Sequence, residues 1–88
     1  MNLRRIAMTT DALKTTFNDI GVEASAFEKD GVWMPEYRVL WQDGEAKMLR
    51  PDIMGFHDRQ TAVLMAVECG IYDIRCKEYA RYNRRNYH

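Results

Sequence analysis

The sequence predicts a small α+β domain of order α-β-β-β-α: a two-layer arrangement with a small antiparallel sheet packed against two helices, followed by a C-terminal helical extension. Three observations predict it. Apolar residues spaced by four and three give way to alternation near residue 22. Two Asp-Gly pairs, Asp30-Gly31 and Asp43-Gly44, punctuate the alternating stretch as turns. After Asp58 the composition returns to that of helices.

The 88 residues divide into a flexible leader at 1–8, an α+β core domain at 9–71 and a basic helical extension at 72–88. Arg4 and Arg5 have no apolar stretch behind them, so the leader does not read as a secretory signal. Thr9-Thr10-Asp11 offers a side-chain cap and a negative charge for the positive end of a helix. Leu13, Phe17 and Ile20 then share one helical face, and Gly21 closes a helix over 10–20. Val22 to Phe27 reads as a strand, and Asp30-Gly31 turns it into a partner continuing at Val32 and Trp33. Pro35 cannot donate to a ladder and belongs at an edge or bulge.

Tyr37, Val39 and Trp41 alternate with Arg38, Leu40 and Gln42 ahead of Asp43-Gly44. This predicts a hairpin over 36–50 that pairs Trp41 with Ala46 and Val39 with Met48, with Tyr37 and Trp41 in the core. Pro51 ends it, and the apolar residues of 52–56 tuck under the domain. Asp58 or His57 caps the next helix. Residues 61–67 are apolar on every side and read as buried. Gly70 either closes that helix or sits within it, so residues 72–85 form part of one kinked helix or a second one.

Hydrophobic residues at 47% and charged residues at 30% describe an ordinary globular chain. No apolar run reaches the ~20 residues that span a bilayer, so no membrane role is expected. Thirteen basic residues balance thirteen acidic ones, which excludes a histone-like blanket of positive charge. The balance hides a dipole. Residues 75–88 carry five basic residues and one acidic, while residues 1–74 carry eight basic and twelve acidic. Cys69 and Cys76 would lie ~10 Å apart on a helix, beyond disulfide reach, and no C-x-x-C pair exists. Free thiols suit a reducing compartment and predict a cytoplasmic protein.

The chain has no Gly-rich phosphate loop, H-E-x-x-H or S-x-x-K motif. His57-Asp58 and Cys69 supply a base and a thiol, but a thiol within an apolar helix is normally packed and inert. No catalytic, cofactor or metal residues are assigned, and the expected class is non-enzymatic. Two sets of binding residues are. Trp33 and Met34 near a sheet edge, with Tyr79 and Tyr82, are candidates for a protein partner. Arg75, Lys77, Arg81, Arg84, Arg85 and Tyr87 interleave cations with aromatic rings, as a surface that tracks phosphates and stacks on bases would.

Residues 37–44 followed by 56–62 resemble the hairpin-then-helix pattern of the arm-type DNA-binding domains of phage integrases, over roughly residues 33–69. The α-β-β-β-α order also resembles double-stranded-RNA-binding domains. The size and charge layout are similar to those of small accessory proteins of phages and mobile elements. Two functions are therefore expected. The first is a small regulator or inhibitor that docks on a larger protein or complex. The alternative is a nucleic-acid-binding accessory protein that uses the C-terminal helix. An acidic body and a basic tail also suit a homodimer.

Overall fold

The computed structural model describes residues 12–44 and 46–86, with side chains described as far as Arg81. The expected leader at 1–8, the Thr9-Thr10-Asp11 cap, Glu45 and Tyr87 lie outside the described residues, as do the side chains of Tyr82, Arg84 and Arg85.

The fold is α+β. Three antiparallel strands, β1 (Leu13–Phe17), β2 (Ile20–Lys29) and β3 (Val32–Leu40), form a meander in the order β1-β2-β3. One helix, α1 (Arg59–Asn86), packs mainly across β2 and β3. Among the described residues it is the one helix, so the expected α-β-β-β-α order is corrected to β-β-β-α.

The first correction is β1, where a helix was expected over 10–20. Leu13 and Phe17 are four apart, a spacing that a helix and a strand both satisfy. Ile20, which would complete the helical face, begins β2 instead. Asn18 and Asp19 make the turn between them with φ of 53° and 64°. Asn and Asp tolerate the left-handed region, and two such residues match the twist of paired strands. Asp30 and Gly31 make the second two-residue turn in the same way, with φ of 52° and 83°.

The second correction is the hairpin at 36–50. β3 pairs with β2 instead, in a register that puts Val22 opposite Val39 and Ala24 opposite Tyr37. Beyond β3 the chain bends at 42–44 and returns as an irregular connector. Gly44 does not take positive φ. Tyr37 meets Leu49 across a single bridge, with N–H···O distances of 2.9 and 2.7 Å. The expected pairing would have put Arg50 there, so the contact is slipped by one residue. A second bridge joins Trp33 and Phe56.

The core is small and lies between the helix and one sheet face. Val22, Ala24, Tyr37 and Val39 from the sheet meet Ala62, Val63, Ala66 and Ile74 from α1. Tyr37 and Val39 thus occupy the face expected of them, and Trp41 packs at its margin. Asp58 caps the helix as expected: its carboxylate accepts the Thr61 N–H at 3.0 Å and the Thr61 hydroxyl at 2.7 Å. Residues 61–67 are not buried on every side, since Leu64 is 53% exposed. The helix is continuous through Gly70. A Cβ built there would sit 2.6 Å from Val22 Cγ1 and 3.5 Å from Tyr37. The missing side chain lets the helix backbone lie against the sheet.

Valine is a better helix former than glycine, yet Gly70→Val is expected to lower the unfolding free energy by about 2 kcal/mol or more through overpacking. Urea denaturation measures this. An unchanged midpoint would show that the helix rides outward without cost.

Candidate docking surfaces

The helix divides the sheet into a covered and an open face. On the open face the strand register aligns Lys14, Glu23 and Arg38 in one row. Glu23 pairs with Lys14 at 3.4 Å and with Arg38 at 3.8 Å. Beside them the Ser25 hydroxyl and Arg50 Nε donate to Glu36 at 3.0 and 3.1 Å, and the Arg50 guanidinium rests 4.5 Å from the Phe27 ring centre. Lys14, Arg38 and Arg50 therefore each have a carboxylate partner, while Lys29 at the end of β2 has none among the described ion pairs. Such exposed pairs add little stability, but they cancel the positive potential that a phosphate backbone would need.

The connector at 41–58 runs along the outer edge of β3. Bridges at Leu49 and Phe56 pin it at two points, and the Ile53 N–H bonds the Pro51 carbonyl at 3.0 Å. Gly55 crosses so close to Val32 and Met34 that a Cβ would collide with both. Only part of the connector tucks in. Phe56 is half-buried, whereas Met48, Leu49, Ile53 and Met54 face solvent, Met54 with 84% of its surface.

This placement changes the candidate partner residues. Trp33 exchanges backbone bonds of 2.8 Å with Phe56 and is half-buried, and Met34 is half-buried beneath Gly55. Tyr79 is 67% exposed on the outer side of α1. The same side carries Leu64 and Tyr72, which the sequence reading did not single out. The signal for them was available only once Gly70 had shown which side of the helix meets the sheet.

The basic residues do not form one cluster. Arg75 lies over the Phe17 ring at 5.2 Å, and Lys77 lies over Trp41 at 4.3 Å. Glu78, the residue after Lys77, accepts from Asn18 Nδ2 at 2.8 Å. Arg81 is exposed and shares a polar hollow of about 310 Å³ with Asp19, Asp43, Lys77 and Glu78. None of the ion pairs among the described residues involves Arg75, Lys77 or Arg81. Packing on the sheet thus reaches well into the basic segment, through aromatic faces rather than carboxylates.

Among the described residues, no three His, Cys, Asp or Glu side chains converge as a metal site, and no helix is long and apolar enough to cross a membrane. Asp58 is occupied as a cap, and its hydrogen bonds from Thr61 lower its pKa. Cys69 lies about 16 Å further along the helix, at ~1.5 Å per residue. Burial, then the charges of Asp73 and Glu68, push its thiol pKa up and hold it protonated. Cys69 and Cys76 are both free.

The Tyr37 hydroxyl donates to Asp73 Oδ2 at 2.5 Å. Burial first, and this bond second, raise its pKa well above that of a free tyrosine. Unfolded tyrosine ionises near ~10, so the folded state holds a proton there that the unfolded state loses. The resulting stability is complete below that pH and declines as pH rises above it. Tyr37→Phe is expected to cost about 1–3 kcal/mol at pH 7 by leaving Asp73 unpaired. It should also flatten the loss of stability that sets in above pH ~10, the unfolded tyrosine value. Equal pH slopes for the two proteins in urea denaturation would contradict this account.

Compared with family models, curated proteins and solved structures, the chain shows no match.

Proposed function

We propose that this chain is a small, non-enzymatic protein-binding regulator or inhibitor that docks on a larger protein or complex through the connector at 41–58. One observation carries the reading: a segment pinned to the β3 edge at Leu49 and Phe56 holds Met48, Leu49, Ile53 and Met54 toward solvent. Clustered apolar side chains on a loop fixed to a rigid scaffold mark interaction sites. Fixing the loop beforehand lowers the entropy lost on binding. A methionine-rich surface adapts to the shape it meets. The free thiols suit a cytoplasmic setting.

Met54→Asp is expected to abolish capture of a specific protein from nuclease-treated lysate while leaving the melting temperature unchanged. Recovery of the same proteins by both forms, or of nucleic acid alone before nuclease, would reject the reading.

A second reading is that the C-terminal end of α1 anchors nucleic acid. Arg75, Lys77 and Arg81, which have no carboxylate partner among the described ion pairs, favour it. The acidic groups around Arg81 weigh against strong binding. With three to five phosphates neutralised, the log–log salt slope for duplex DNA should be about −3 to −5. A flat salt response measured by fluorescence anisotropy would exclude it.

A further inference from the structure

The outer side of α1 carries Leu64, Glu68, Tyr72, Arg75 and Tyr79 in a single stripe opposite the buried row Ala62, Ala66, Gly70 and Ile74. All five are exposed, Leu64 at 53% and both tyrosines at 67%. At 3.6 residues per turn and 1.5 Å rise, they fall within a sector of roughly 80° and a length of roughly 22 Å. Neither Glu68 nor Arg75 is engaged in an ion pair among the described residues.

The order of these residues is self-complementary. About a point between Ile71 and Tyr72, Leu64 and Tyr79 stand equally far out, and so do Glu68 and Arg75. Laid antiparallel on itself with a two-fold axis at that point, the stripe sets apolar against apolar and acid against base. We infer that this stripe is the interface of an antiparallel homodimer. Leu64 packs on the partner's Tyr79, Glu68 pairs with the partner's Arg75, and the two copies of Tyr72 meet beside the axis.

A symmetric dimer needs one patch that complements itself, a condition that a surface built for a foreign protein has no reason to meet. The charges also fix the direction. A parallel pairing in register would place Glu68 on Glu68 and Arg75 on Arg75. Arg75 is already steadied by the Phe17 ring at 5.2 Å. Stacking uses the face of the guanidinium and leaves its N–H edges for a carboxylate. A hollow of about 470 Å³ bordered by Pro51, Met65, Glu68 and Tyr72 flanks the stripe and gives room for the partner's side chains. Two helices meeting over this length lie at the small end of stable interfaces, around 1,200 Å². The dimer therefore dissociates on dilution.

Sedimentation equilibrium on the full chain tests this. The wild type should pass from monomer to dimer as concentration rises. Glu68→Lys or Arg75→Glu alone should weaken association at least ~10-fold by placing like charges together. The double variant, Glu68→Lys with Arg75→Glu, should recover dimerisation by restoring the pairs in reverse. Circular dichroism checks that each variant keeps its helix, and both positions are exposed enough to accept the change. A wild type that stays monomeric, single variants that dimerise normally, or a double variant that fails to recover would each overturn the inference. Met54→Asp should leave the dimer intact, so the connector reading and this one stand or fall separately.

Discussion

The close seat of α1 on the sheet at Gly70 governs the rest of the molecule. Ala62, Ala66 and Gly70 present small residues along the inner side of the helix, and Val22 and Ala24 present small residues beneath them. With little side-chain volume between, the backbones approach, and Val22 fills the space that a Cβ at position 70 would need. A core this small tolerates neither added volume nor voids. The approach also sets longer side chains in reach of each other. Tyr37 extends from β3 to Asp73, Ile74 enters the core, and Lys77 and Arg75 come down on Trp41 and Phe17. Each of those contacts presumes the axial position and rotation of the helix that Gly70 permits.

The same seat explains why the connector is exposed. One helix covers one face of a three-stranded meander, and the outer edge of β3 is left without a strand. Unpaired edges invite association with other chains. Here residues 41–58 run along that edge, but they satisfy it at only two positions, Tyr37 and Trp33. Between the two bridges the chain bows outward, with a tight turn from Pro51 to Ile53 at its base. Backbone bridges hold both ends of the arc, Leu49 to Tyr37 and Phe56 to Trp33, and Phe56 is half-buried. Met54 has no such duty and faces solvent.

What the sequence made legible follows from the range of each signal. Asp30-Gly31 and the Asp58 cap are local, acting over two to four residues, and both are found where their chemistry placed them. The buried face of β3 was legible because Tyr37 and Val39 alternate strictly with polar neighbours. The element over 10–20 was not, because Leu13 and Phe17 satisfy two periods at once. The deciding feature was Asn18-Asp19, a turn pair weaker than one containing glycine. Asp43-Gly44 has the composition of a hairpin turn, yet no hairpin forms there. β3 takes β2 as its ladder partner, and Trp41 is drawn against the helix at Lys77. The binding candidates divide in the same way. Trp33 was a candidate because it neighbours Pro35 at an expected edge, but it is half-buried and its backbone pairs with a segment more than twenty residues away. The outer stripe of α1 was hidden because residues 61–67 are apolar all round. Only tertiary packing decides which of them face outward.

The charge dipole in the sequence resolves in an unequal manner. Lys14, Arg38 and Arg50 on the open sheet face are matched by Glu23 and Glu36, which removes much of the positive potential there. Arg75 and Lys77 on α1 rest on aromatic rings instead. A ring face holds a cation without cancelling its charge. Arg75 therefore keeps a positive edge directed at solvent, on the same stripe as an unmatched Glu68. A carboxylate and a phosphate compete for that edge. When Glu68 of a second copy takes it, the basic end loses one of the three described cations that phosphate contact would use. Self-association and nucleic-acid binding at this end are thus antagonistic. An apolar stripe that also carries one matched pair of opposite charges is better suited to a helix than to a polyanion.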